Sequence, residues 1–299
     1  MVADKLGVNT FYPCVETLLQ KLEDLGYSHV YFSSRIFAQS DKEMERIASL
    51  CKQHGILPCG AHSPDKFLPQ EEKDLDRTIE LHKKVLDQAL ILGCDSVNFH
   101  VASVNEIPNE DTGRFIEKIG AQKFDEMNFA VLSELARHAG KNKMMVAVEN
   151  LPRDIVANYC RNMSDLRRII GGADEANVGI CIDTGHAHIS GLKSSDMILE
   201  AGDKLIQTHI NDNFGWLCEE NAINDIHSPP GTGTVDWLRV VDALAKIGYE
   251  RPITFELKFR GQPDNPDELD QFLRLTRDNW RMIVQLWKDV KENLSDPLE

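Results

Sequence analysis

Val178-Gly179-Ile180-Cys181-Ile182-Asp183 divides into two unlike faces. Side chains alternate across a β-strand, so Val178, Ile180 and Ile182 fall on one side and Gly179, Cys181 and Asp183 on the other. The apolar set suits a layer of packing helices. The other set is small, ends in a carboxylate and suits the axis of a closed sheet. Five further runs divide the same way. Leu57–His62 sets Leu57, Cys59 and Ala61 against Pro58, Gly60 and His62. Asp95–His100 sets Asp95, Val97 and Phe99 against Ser96, Asn98 and His100. Met144–Glu149 sets Met144, Val146 and Val148 against Met145, Ala147 and Glu149. Leu205–Ile210 sets Ile206, Thr208 and Ile210 against Leu205, Gln207 and His209. Ile253–Lys258 sets Ile253, Phe255 and Leu257 against Thr254, Glu256 and Lys258.

These runs belong to a longer alternation. Strands are expected at Lys5–Asn9, Ser28–Phe32, Ile56–His62, Cys94–His100, Met144–Glu149, Val178–Asp183, Leu205–Ile210 and Pro252–Lys258. Helical spacing of apolar residues marks Cys14–Leu25, Asp41–His54, Glu71–Leu92, Phe115–Ala139 and Glu268–Val290. Eight alternations in 299 residues average about 37 residues each, the size of a βα unit. Eight parallel strands close most simply as a (β/α)8 TIM barrel. A doubly wound sheet would show a Gly-rich turn after its first strand. Gly7-Val8-Asn9 runs instead into Thr10-Phe11-Tyr12-Pro13. The expectation is an α/β chain forming one TIM-barrel domain over residues 1–299.

Composition sets the class. The chain is 42% hydrophobic and 27% charged, ordinary for a globular protein. Lys and Arg number 33 against 48 Asp and Glu, a formal charge of −15. That balance argues against nucleic acid and anionic membrane as partners, although a basic cleft could hide inside the total. No run is long and apolar enough to span a bilayer, and no charged-then-apolar leader opens the sequence. The seven cysteines are scattered with no close CxxC pair, which points to a reduced, cytoplasmic protein rather than a disulfide framework. A homo-oligomer is left open.

Six strands in a row carry His62, His100, Glu149, Asp183, His209 and Glu256 at or near the end of their inward sets. Those ends form the catalytic face of a barrel. Singly, each residue reads as a helix cap or a rim charge; together they do not. Carboxylates converging on one mouth repel unless a cation sits among them. Glu149, Asp183, His209 and Glu256 make an oxygen-rich set with one imidazole, suited to Mn²⁺, Mg²⁺, Co²⁺ or Zn²⁺. His186, in Asp183-Thr184-Gly185-His186, lies within reach of the same mouth. Asp225-Ile226-His227 places two ligand types two residues apart, although a polar loop leading to a helix capped by Thr234 explains the same residues. Gly231-Thr232-Gly233 could cradle a phosphate. Trp216 could stack on a sugar ring or anchor its loop.

Val148-Glu149-Asn150, Cys181-Ile182-Asp183-Thr184-Gly185-His186, His209-Ile210-Asn211-Asp212-Asn213, the Asp225–Trp237 run and Phe255-Glu256-Leu257-Lys258 resemble the xylose-isomerase-like TIM barrels. That group includes sugar and sugar-phosphate isomerases and epimerases, inosose dehydratases and the endonuclease IV type of apurinic endonuclease. The resemblance spans nearly the whole chain. It implies that Glu149, Asp183, His209 and Glu256 bind a divalent metal, that Glu149 and Glu256 act as acid and base, and that His186 meets substrate or a further metal. The ketose 3-epimerases of the group carry a Glu and an Arg where this chain has Ile155 and Gly215. The apurinic endonucleases hold three zinc ions, and each of their ligand types has a counterpart in His62, His100, Glu149, Asp183, His186, His209, Asp225, His227 and Glu256. They also carry a DNA-entering aromatic where Ser63-Pro64-Asp65 follows His62.

The first expectation is therefore a metal-dependent isomerase, epimerase or dehydratase of a sugar, sugar phosphate or cyclitol. The metal would act as a Lewis acid on substrate oxygens while Glu149 and Glu256 move the proton. His186 and Lys258 would contact substrate oxygens, and Arg153 would hold a carboxylate or phosphate. Lys258 could equally pair with Glu256. The alternative is a zinc-dependent phosphodiesterase acting on abasic DNA. A sugar-sensing barrel without catalysis ranks last, because both glutamates are present.

Overall fold

The computed structural model describes residues 5–10, 14–64, 66–108, 111–152, 159–215, 225–262 and 265–295. Its strands are β1 (Leu6–Asn9), β2 (His29–Phe32), β3 (Leu57–His62), β4 (Ser96–Phe99), β5 (Met145–Glu149), β6 (Val178–Asp183), β7 (Leu205–Ile210) and β8 (Ile253–Phe255). Each pairs in parallel with the next, and β1 pairs with β8 to close the barrel. The expected (β/α)8 architecture is the observed one.

The surrounding helices are α1 (Val15–Asp24), α2 (Asp41–Gln53), α3 (Leu75–Leu92), α4 (Thr112–Ile119), α5 (Ala121–Gly140), α6 (Met163–Ala173), α7 (Thr184–Ile189), α8 (Ser194–Ala201), α9 (Trp237–Lys246) and α10 (Pro266–Ser295). The single helix expected over Phe115–Ala139 is two. Gly120 breaks it at φ 89°, a left-handed backbone that glycine adopts without strain. Thr234 does not cap α9. The carboxylate of Asp236 does so, accepting from the Arg239 N–H, while Thr234 turns to the carbonyl of Asn213 and to His188. No helix among the described residues is long and apolar enough to cross a membrane.

Strand parity places the core. Val97, Phe99, Val146, Val148, Ile180, Ile182, Ile210 and Phe255 are buried outside the sheet with the inner faces of the helices. Inside the barrel, Ala147, Cys181 and Ile206 form a separate small cluster with Met145 against it. Ile206 was expected outside and Leu205 inside. The register shifts between Ile180 and Cys181, which pair with Leu205 and Gln207, and the extra residue reverses the parity at the start of β7. A second shift lies between β2 and β3. Cys59 is the extra residue there, and its Sγ reaches Thr254 Oγ1 at 3.8 Å rather than facing the helices. Both shifts precede the C-terminal strand ends, so the inward residues at the mouth keep their expected side. At the floor, Arg251 makes two 2.8 Å bonds from Nη2 to Asp95, tying β8 to the opposite strand β4.

The seam between first and last strands extends past Phe255. Asn9 Nδ2 donates to the Leu257 carbonyl at 3.0 Å, and the Leu257 N–H donates to Asn9 Oδ1 at 2.9 Å. A side-chain amide thus replaces one rung of the ladder and fixes the backbone beside Glu256.

Candidate metal centre

Glu149 stands at the middle of the mouth, fully buried. Its Oε2 accepts from Asn98 Nδ2 and lies 3.1 Å from His100 Nε2 and 3.6 Å from His62 Nε2. Its Oε1 lies 3.1 Å from His209 Nδ1 and 3.3 Å from His186 Nδ1. His209 Nδ1 is also 3.2 Å from Glu256 Oε2. Asp183 caps α7 through Oδ1, accepting from the His186 N–H, while Oδ2 accepts from Asn211 Nδ2. Asp225 Oδ1 lies 2.8 Å from His227 Nε2 and 3.6 Å from His186 Nε2. Three adjoining donor groups result: His62, His100 and Glu149; Glu149, Asp183, His209 and Glu256; and Asp183, His186 and His227. Within each, the donor atoms lie within 4.8 Å of one another.

The tautomers reveal what these groups are arranged to hold. His62, His186 and His227 each place Nδ1 against a backbone carbonyl, those of Ser63 (2.6 Å), Asn150 (2.9 Å) and Glu256 (3.0 Å). A carbonyl only accepts, so each Nδ1 carries a hydrogen, and a ring that gives up its other proton turns an Nε2 lone pair into the mouth. There the lone pairs meet carboxylate oxygens, and Nε2 of His62 meets Nε2 of His100 at 3.0 Å. Acceptors facing acceptors require protons or cations between them. Burial alone would raise the Glu149 carboxyl, but His209 and His100 hold it well below its ordinary value. Burial would lower His209 and His186. The acids around them, Glu149 and Glu256 for His209 and Asp183 and Asp225 for His186, raise both well above the usual imidazole value. Asp183 is raised by burial in spite of His186 and His227. The donors fit divalent cations of the Mn²⁺, Zn²⁺, Mg²⁺ or Co²⁺ type. Cys181 also approaches Glu149 and His209, but burial pushes its thiol up to about 12 and disfavours a thiolate ligand.

A family model described as xylose isomerase-like TIM barrel matches residues 19–279. The chain belongs to that family. Among its relatives, the uncharacterized protein y4fM of Sinorhizobium fredii is 26% identical over 78% of this chain and 72% of its own. The inosose isomerase of Bacillus velezensis is 24% identical over 73% and 72%. A probable endonuclease 4 of Halothermothrix orenii is 25% identical over 79% and 84%. The solved D-psicose 3-epimerase of Clostridium cellulolyticum shares the fold with a TM-score of 0.73 and 15% identity, over 96% of this chain and 99% of that one.

This xylose isomerase-like mouth brings together nine of the eleven residues singled out in the sequence. Lys258 stands at the rim, joined to the nine through Asp225. Its Nζ pairs with Asp225 Oδ2 at 2.8 Å, not with Glu256, and the side chain is half exposed. Arg153 lies outside the described residues, as do Ile155 and Trp216. The proposed phosphate cradle is filled by the chain itself. The N–H groups of Gly231 and Gly233 donate to Asp212 Oδ2, both at 2.9 Å. Trp237 Nε1 joins them, and the Asn213 and Val235 N–H groups donate to Oδ1. Asn98 and Asn211, which orient the carboxylates of Glu149 and Asp183, were not singled out in the sequence. Both sit at inward parity two residues from a ligand, but an uncharged amide does not stand out in a strand.

Proposed function

We propose that this protein is a divalent-metal-dependent isomerase or epimerase, or a related dehydratase, acting on a sugar, sugar phosphate or cyclitol. One observation carries the reading: carboxylates from two separate strand ends, Glu149 closing β5 and Glu256 just past β8, flank the same His209 Nδ1 at 3.1 and 3.2 Å. A dication held by Glu149, Asp183, His209 and Glu256 would lower the cost of the negative charge that develops on substrate oxygens as a neighbouring C–H loses its proton. The two glutamates flank the metal from different strand ends, so one would remove the proton and the other return it. Glu256 keeps 17% of its side chain exposed and stands readier to take the proton, and Glu149, fully buried, would return it. His62, His100, His186, Asp225 and His227 ring the mouth, where they bind substrate hydroxyls or further ions. The inosose isomerase and ketose 3-epimerase relatives support the substrate class. In Glu256→Gln, metal content should persist while solvent deuterium exchange into substrate falls at least about 100-fold. Unchanged exchange removes Glu256 from the role of base. Elemental analysis of the purified protein and a sugar and cyclitol panel supply the substrate.

The three adjoining donor groups favour a second reading, a zinc-dependent apurinic endonuclease, in keeping with the endonuclease 4 relative. Three zinc ions per chain with nicking of an abasic duplex would establish it. A single ion per chain with sugar turnover establishes the first. The −15 charge weighs against duplex binding.

A further inference from the structure

The last helix, α10, is the longest described, with 30 residues, or about 45 Å of axis. Leu269, Leu273, Trp280, Ile283 and Val284 face the core and are buried. A second line does not. Leu275, Met282, Leu286 and Val290 are exposed by 46%, 62%, 50% and 41%. They follow one another at intervals of seven, four and four, so they form one stripe along the outer flank of the helix. Isolated exposed apolar residues need no explanation, whereas an aligned row marks a contact surface.

The charges beside the stripe select its occupant. Arg274, Asp278, Lys288 and Glu292 all fall on one side of it, at a rotation of about 100° per residue. They are arranged about Ile283 with opposite signs: Arg274 and Glu292 nine residues either way, Asp278 and Lys288 five either way. Leu275 and Val290 stand at nearly equal distances about the same centre. Arg274 pairs within the chain with Asp270 and Asp278 with Arg277, whereas Lys288 and Glu292 enter no ion pair among the described residues. In an antiparallel helix pair the same flanks of the two helices meet. A second α10 turned about a two-fold axis near Ile283 therefore sets Arg274 against Glu292, Asp278 against Lys288, and Leu275 against Val290. Met282 and Leu286 fill the middle. The pattern is self-complementary, as a two-fold interface requires.

We propose that the exposed stripe of α10 seats the same stripe of a second copy of this chain in an antiparallel, two-fold homodimer. Sedimentation equilibrium of the full chain should give twice the 33.8 kDa of one copy. Met282→Lys combined with Leu286→Lys should return the single-chain mass with unchanged circular dichroism. Arg274→Glu and Glu292→Arg should each weaken association about tenfold or more. Mixed together, those two single variants should recover it, because every cross-copy pair is again of opposite sign. A monomeric wild type up to roughly 100 µM, where a stable dimer would be fully formed, overturns the proposal. So does a dimer that survives the lysine pair, or charge variants that do not rescue each other.

Discussion

Asp212 is a carboxylate with no exposure and five N–H donors, drawn from Asn213, Gly231, Gly233, Val235 and Trp237. It locks the His209–Asn213 segment to the loop leading into α9, and so explains why two separate motifs occur in one chain. Asp212→Asn would turn one acceptor into a donor facing other donors, and about 3 kcal/mol of stability should be lost. Urea unfolding checks this, and a loss within error would show that the loop holds itself. Gly185 has a similar local reason. A Cβ there would stand 1.9 Å from Asn211 Oδ1, displacing the amide that orients Asp183. Protonation belongs to this scale too. His186 and His209 are raised well above the ordinary imidazole value by the acids around them, so the metal-free protein carries their protons at neutral pH. Loading a dication must displace protons, and affinity should tighten as pH rises, by about tenfold per pH unit for each proton released. Calorimetric titration in two buffers of different ionisation enthalpy measures the release. Heats that do not depend on the buffer would contradict it.

Strand identity and the inward placement of six mouth residues were readable because period-two alternation leaves no other face for them. The alternation misled at two places, Cys59 and Ile206. A bulge adds one residue without a compositional mark, and Leu205-Ile206 is apolar on either reading. The cap of α9 was misplaced for a related reason. Thr234 and Asp236 both suit the role, and a carbonyl 21 residues earlier in the chain decides between them. The supposed phosphate turn was a seat for an anion, but the anion is Asp212, which no local pattern pairs with Gly231. Helix length failed where Gly120 interrupts α4 and α5. A Cβ at Gly120 would meet nothing within 4 Å, so only the backbone resists substitution. Gly120→Ala should cost about 1 kcal/mol, read from the urea midpoint. A stabilised variant would mean that the break is not imposed by the surrounding fold.

Across the whole molecule, stability and chemistry occupy opposite ends of the barrel. The Arg251–Asp95 pair spans the floor with side chains 30% and 57% exposed. Exposed pairs contribute little, so Arg251→Ala should lower stability by less than about 1 kcal/mol. Metal affinity should stay unchanged, because the mouth lies at the far end of the strands. A large drop in affinity would show that the floor governs the mouth.

The amide rung between Asn9 and Leu257 has a consequence for biosynthesis. Asn9 lies 248 residues before Leu257, so the residue that steadies the neighbour of Glu256 is synthesised long before that glutamate. A nascent chain can assemble β2 to β7 early, but it has no finished seam to hold that glutamate. Capture of an ion by the complete donor set is thereby deferred until β8 has been made and the seam has closed, and fragments lacking β1 or β8 should fail to retain it.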